Sequence, residues 1–79
     1  VSAATIEREL AEYLALSDYE VRFRPAMSYS WFYVYVFYRG KTVTFKSCCR
    51  SYPRAARWAR RQIRRHEKAM RDLGPLVRP

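Results

Sequence analysis

Seventy-nine residues, 49% of them hydrophobic, allow one domain with one modest core and leave no room for a second. Sixteen Lys and Arg against seven Asp and Glu give a net charge of +9, which points to an anionic partner: nucleic acid, an acidic protein surface or an anionic membrane. One His and two adjacent Cys supply too few ligands for a zinc site, and with two Gly the backbone has few places to approach a cofactor closely.

From Ser2 to about Leu16 the spacing of Ile6, Leu10, Tyr13 and Leu14 predicts an amphipathic helix. Glu7, Glu9 and Glu12 turn outward, Ser2 is placed to cap it, and Ser17 and Asp18 end it. Tyr19 to Pro25 alternates Tyr19, Val21 and Phe23 with Glu20, Arg22 and Arg24, the pattern of a half-buried strand stopped by proline. Ala26 to Ser30 is a short loop carrying Met27 and Tyr29. Trp31 to Arg39, filled with aromatic and β-branched residues, reads as a second strand.

Arg39-Gly40 makes a two-residue turn, and Lys41 to Ser47 returns as a third strand. A regular hairpin with that turn sets Val36 opposite Val43 and Val34 opposite Phe45, so Phe32, Val34, Val36, Val43 and Phe45 are expected on the core face. Trp31, Tyr33, Tyr35 and Phe37 then fall on the other face beside Thr42, Thr44 and Lys46. Arg22 and Arg24 join them if the first strand lies antiparallel alongside.

Ser51 to Leu73 predicts a long helix, with Pro53 at a first helical position after Ser51 or Tyr52 and Gly74-Pro75 as its stop. Residues 74–79 are expected to form a C-terminal tail, frayed from Leu76 to Pro79. Ala56, Ala59, Ile63, His66, Met70 and Leu73 make one apolar stripe, and Trp58 lies at its border. The opposite arc collects Arg54, Arg57, Arg60, Arg61, Arg64, Arg65, Lys68 and Arg71, diluted only by Glu67 and Asp72. Like charges stand at i, i+4 in Arg57/Arg61/Arg65 and Arg60/Arg64/Lys68, where repulsion costs a few tenths of a kcal/mol per pair, roughly, and mixed signs would have cancelled it. Nearly all are Arg, whose planar fork matches phosphate and carboxylate. The arc is either an anion-binding face or a solvated one.

The expected fold is therefore α+β, in the order α-β-β-β-α: a three-stranded antiparallel sheet with both helices on one face and the other face open, in a single domain over residues 1–79. Residues 1–20 carry five acids against Arg8 alone, and residues 21–79 carry fifteen bases against two acids, so the basic field belongs to the sheet and second helix. The open face, with Trp31, Tyr33, Tyr35 and Phe37 near Arg22 and Arg24, offers anchors for a partner protein, a second copy of the chain or stacked bases. A general acid/base pair, a phosphate-cradling glycine loop and a Ser-His-Asp set are not readable, so no enzymatic activity, cofactor or metal is expected. Adjacent Cys48 and Cys49 read as free thiols of a reducing compartment. No secretory segment or membrane span is visible, which predicts a cytoplasmic protein.

Several segments resemble the double-stranded-RNA-binding domain over roughly residues 6–70. Leu10-Ala11-Glu12-Tyr13 is similar to that family's first-helix motif, Tyr19-Glu20 to its first strand, and Phe32-x-Val34-x-Val36 with Gly40-Lys41 to its central hairpin. Arg50-Ser51-Tyr52-Pro53-Arg54-Ala55-Ala56 stands where that family opens its basic second helix. The resemblance implies Arg54 and Arg57 as phosphate contacts and Glu12 as a minor-groove contact. A second likeness is to the arm-binding domains of phage integrases, in which a glycine hairpin precedes a helix bearing an Ala and a Trp, here Ala55 and Trp58. That likeness implies a sheet inserted into the DNA major groove, with Arg22, Arg24, Tyr33, Tyr35 and Lys46 at the bases.

Two functions are expected from these features. The first is a basic module that binds DNA or RNA through Arg54, Arg57, Arg60, Arg61, Arg64, Arg65 and Lys68. The second is a small inhibitor or adaptor that docks on an acidic protein or nucleoprotein surface, of the kind phages use against host CRISPR complexes, by its Arg face and aromatic sheet. A homodimer through the open sheet is compatible with either.

Overall fold

Residues 2–27 and 30–77 are described by a computed structural model, in which α1 (Ala3–Tyr13), β1 (Tyr19–Pro25), β2 (Phe32–Tyr38), β3 (Lys41–Cys49) and α2 (Tyr52–Val77) follow one another. Tyr29 of the expected loop and Arg78 and Pro79 of the expected tail lie outside the described residues. The three strands form one antiparallel sheet in the order β1-β2-β3. Both helices pack on the same face of it, as binary patterning requires when each element has a single apolar side.

Ser2 caps α1: its Oγ accepts from the Thr5 backbone N–H at 3.2 Å, satisfying one of the donors that a helix start leaves free. Ile6, Leu10 and Leu14 are buried from this helix. Tyr13, expected among them, is exposed instead. The backbone leaves helical geometry at Leu14, and the Tyr13 ring turns toward α2, where it lies under the Arg60 guanidinium at 4.7 Å.

Strand β2 occupies the centre of the sheet and of the core, with Val34 and Val36 fully buried. Tyr19 and Val21 of β1 and Ala55, Ala56, Ala59 and Ile63 of α2 close around them. Three small Ala residues let α2 approach the sheet closely. At the N-terminal end of α2, Ser51 Oγ accepts from the Arg54 N–H at 3.4 Å. Pro53, at the second helical position, lacks only an N–H that would have had no helical partner.

The β2-β3 hairpin departs from the regular register. Its turn is as expected, with Arg39 and Gly40 both at positive φ (49° and 82°) and Tyr38 paired with Lys41. Phe37 then pairs with Thr42, but Val36 pairs with Thr44, so one extra residue is accommodated at Val43. Val43 still packs against the core, whereas Thr44, Phe45 and Lys46 after it change face. Phe45, expected inside, lies opposite Tyr35 on the outer face and is 56% exposed. Lys46, expected on the outer face, lies opposite Val34 on the helix side, and Thr44 likewise moves from the outer to the inner face.

A second extra residue restores the phase. Cys48 adopts φ 59° and is exposed, and Cys49 returns to the core opposite Phe32. Burial pushes the Cys49 thiol above its ordinary pKa, against a smaller lowering influence from Lys46. An aromatic disulfide reagent such as Ellman's is therefore expected to titrate Cys48 rapidly in the native protein and Cys49 only on unfolding. Two equally fast thiols would contradict this placement.

Helix α2 outruns the sheet. A helix of 26 residues is about 39 Å long, against roughly 23 to 30 Å for strands of seven to nine residues, and the longest dimension of the molecule is 46 Å. The apolar stripe is covered through Ile63 and half-covered at His66. Met70 and Leu73, expected in the core, are 46% and 53% exposed because no strand reaches beneath them. The helix also passes through Gly74 and Pro75, the expected stop, to Val77. Proline this close to a helix end forfeits a single bond, to the Arg71 carbonyl, and need not terminate the segment.

Candidate nucleic-acid interface

At roughly 100° per residue, Arg54, Arg57, Arg61, Arg64, Arg65, Lys68 and Arg71 occupy an arc of about 120° on the side of α2 facing away from the sheet. All seven are exposed. Ala55, Ala56, Ala59 and Ile63 fix the rotation of the helix by filling the core beneath, so the arc cannot turn inward without exposing them. From Arg54 to Lys68 it runs about 21 Å along the axis.

Arg60 stands apart from this set. It is half-buried at the seam with α1, over the Tyr13 ring, and its buried Nε has no hydrogen-bond partner. It still borders the basic surface, where Arg54, Arg57, Arg60, Arg61 and Arg64 line a shallow depression with Trp58 and Lys46. The Lys46 ammonium lies 5.9 Å from the centre of the Trp58 ring. The register shift in β3 thus takes Lys46 from the sheet-face group and adds it to the cations of α2. Arg50, beside Arg54, carries the positive surface on toward the end of β3.

The described carboxylates leave the arc unneutralised. Among the described residues the ion pairs are Arg22 with Glu20 at 3.0 Å and Arg39 with Asp18 at 3.2 Å, both exposed and neither on α2. The acids of α1 do not pair with α2, and Glu67 and Asp72 lie beyond 4.0 Å of its cations.

The outer face of the sheet is the second group of expected site residues. Trp31, Tyr33, Tyr35 and Phe37 follow one another along it, with ring centroids 5.0, 6.0 and 6.2 Å apart. Phe45 from β3 adds a fifth ring 5.6 Å from Tyr35. The rings cover one another enough to be half-buried, except Phe45. Arg22 and Arg24 pair across from Tyr35 and Tyr33 and lie on this face. Tyr33 and Tyr35 are brought together with Arg22 and Arg24 as expected, and Lys46 is not. Phe45 is the member that alternation alone assigned to the wrong side.

His66 is occupied structurally. Its Nδ1 is 2.6 Å from the Tyr19 hydroxyl, and the Tyr38 ring is 5.0 Å away. Burial, then the charge of Glu67 and smaller influences of Tyr38 and Asp18, hold the Tyr19 hydroxyl above its usual pKa. Among the described residues no three His, Cys, Asp or Glu side chains gather as metal ligands, and no helix is long and apolar enough to cross a membrane.

Compared with protein-family models, curated proteins and solved structures, the chain matches none of them.

Proposed function

We propose that this protein is a non-enzymatic module that binds nucleic acid through the phosphate backbone along the outer arc of α2. The observation that carries the reading is the line of exposed guanidiniums from Arg54 to Arg71 that no described carboxylate neutralises. A helix fixed by its own core presents these forks along one line, and the fork geometry matches phosphate oxygens bidentately. Over about 21 Å a duplex presents on the order of a dozen phosphates, so the arc has several within reach. Arg54 and Arg57, the two cations implied as phosphate contacts by the likeness to double-stranded-RNA-binding domains, are the first two members of the line.

Phosphate binding releases counterions, so affinity should fall steeply and log-linearly with salt, with a slope near −0.9 per phosphate contacted on duplex DNA, about −4 to −6 for this arc. The test is fluorescence anisotropy with labelled duplexes of DNA and of RNA between 50 and 200 mM salt, conditions taken as about the span over which such slopes are read. A flat salt dependence, or no binding to either duplex at the low end, removes the proposal. An acidic protein surface would offer carboxylates to the same forks. It becomes the better reading if a partner captured from cells stays bound after nuclease treatment while both duplexes fail to bind.

A further inference from the structure

The arc on α2 leaves the opposite side of the molecule unexplained. There the sheet carries five aromatic rings in unbroken sequence, Trp31, Tyr33, Tyr35, Phe37 and Phe45, beside Arg22 and Arg24. Two of the rings end in hydroxyls. Arg24 is exposed and has no carboxylate within 4.0 Å among the described residues, whereas Arg22 holds Glu20. Burying apolar area would have called for aliphatic residues as well, and the core face of the same strand has them: Val34 and Val36. The outer face instead has planar side chains at every outward position of β2.

We infer that this face is a second nucleic-acid site, which takes the unpaired bases of a single strand by stacking, with Arg22 and Arg24 on the phosphates. Three observations choose this occupant. A central strand with a π-surface at every outward position recognises the flat side of a base, and a duplex hides the flat sides of its bases in its stack. The rings pack against one another at 5.0 to 6.2 Å, too close to admit a base between them at roughly 3.4 Å on each side, so a base lies across their exposed outer sides, as only an unpaired base can. A net charge of +9 attracts a phosphate chain and opposes a second copy of the protein, and at the face itself Arg24 adds to that field while Arg22 is offset by Glu20.

The site is independent of the proposed helix function, because the two surfaces lie on opposite sides of the sheet and share no residue. Lys46 belongs to the helix side, so the positive charge of the outer face comes from β1 alone. A single chain could then hold a duplex segment on one side and an unpaired segment on the other, as at a junction or a partly opened helix.

The test compares a labelled 15-nucleotide single strand with a duplex of the same length. Tyr35→Ala is expected to weaken single-strand binding about tenfold, within the range found for removing one stacking ring, and to leave duplex affinity within about twofold. Tyr35→Phe keeps the ring and should keep the affinity. Because an alanine in the middle of the sheet can disturb folding, the unaltered protein is also crosslinked to a single strand carrying 5-iodouracil, and the adducts are located by mass spectrometry. Adducts on Tyr33, Tyr35 or Phe45 support the site. Adducts confined to α2, or single-strand affinity indifferent to Tyr35→Ala in a folded variant, overturn it. So does a dimer in sedimentation that the same substitution dissociates, since a second copy would then be the occupant. Loss of duplex binding on its own would count against the helix and not against this face.

Discussion

Replacing Arg57, Arg61, Arg64 and Lys68 together by glutamine should cost the protein most of its affinity for duplex nucleic acid and flatten its salt dependence by about 3.6 in log-log slope. Wild-type affinity should drop about 150-fold further than that of the variant between 50 and 200 mM salt, the fourfold change in concentration raised to the lost slope. All four side chains are exposed and none has a described carboxylate partner, so the fold should not suffer. Removing like charges at i, i+4 should stabilise the protein slightly, by roughly a few tenths of a kcal/mol per relieved pair, seen as a small rise in melting temperature. A variant that binds with unchanged slope would show that the arc is a solvated surface. The measurement is an anisotropy titration at four salt concentrations, with circular dichroism as the check on folding.

The largest effect on stability is expected at Leu10, which is 1% exposed and is the central anchor of α1. That helix holds to the molecule through Ile6, Leu10 and Leu14, and its short length gives it little stability of its own. Leu10→Ala should destabilise the protein by about 2 to 5 kcal/mol, from lost burial and from the cavity left under β1. In a domain of this size that is a fall in melting temperature of roughly 10 to 30 °C, enough to leave the chain partly unfolded at 37 °C if its starting stability is ordinary. Leu16→Ala serves as the control. Leu16 is fully exposed, and its loss should change stability by less than about 0.5 kcal/mol. Equal melting temperatures for the two variants would mean that α1 does not pack as described.

The order of elements and the side on which the helices lie follow from patterns readable in the chain. Alternation in Tyr19 to Pro25 gave β1 its span, and Arg39-Gly40 gave the turn its length, because each pattern depends only on neighbouring residues. The basic arc was equally legible, since a helical period and a run of Arg determine which side chains share a face once the buried Ala and Ile set the rotation. The contents of β3 were not. Thr42, Val43, Thr44 and Phe45 alternate so regularly that nothing local marks the insertion at Val43, and a shift by one residue exchanges Phe45 with Lys46 across the sheet. The second insertion was equally hidden, since Cys48 takes a positive φ that is uncommon for a non-glycine residue and that nothing in the sequence marks. The overhang of α2 was hidden for another reason. Met70 and Leu73 keep the helical period of the core stripe, and only the length of the strands decides that nothing lies below them.

The two irregularities in β3 have a consequence for how these molecules behave in a crowd. Strand β3 is one of the two rims of the sheet, and its outward amide and carbonyl groups would be a template for another chain if they were evenly spaced. Insertions near Val43 and Cys48 break that spacing twice within nine residues, so an incoming strand cannot zip along it. On the β3 side the ring-bearing surface is thereby bordered by a rim that does not invite strand addition.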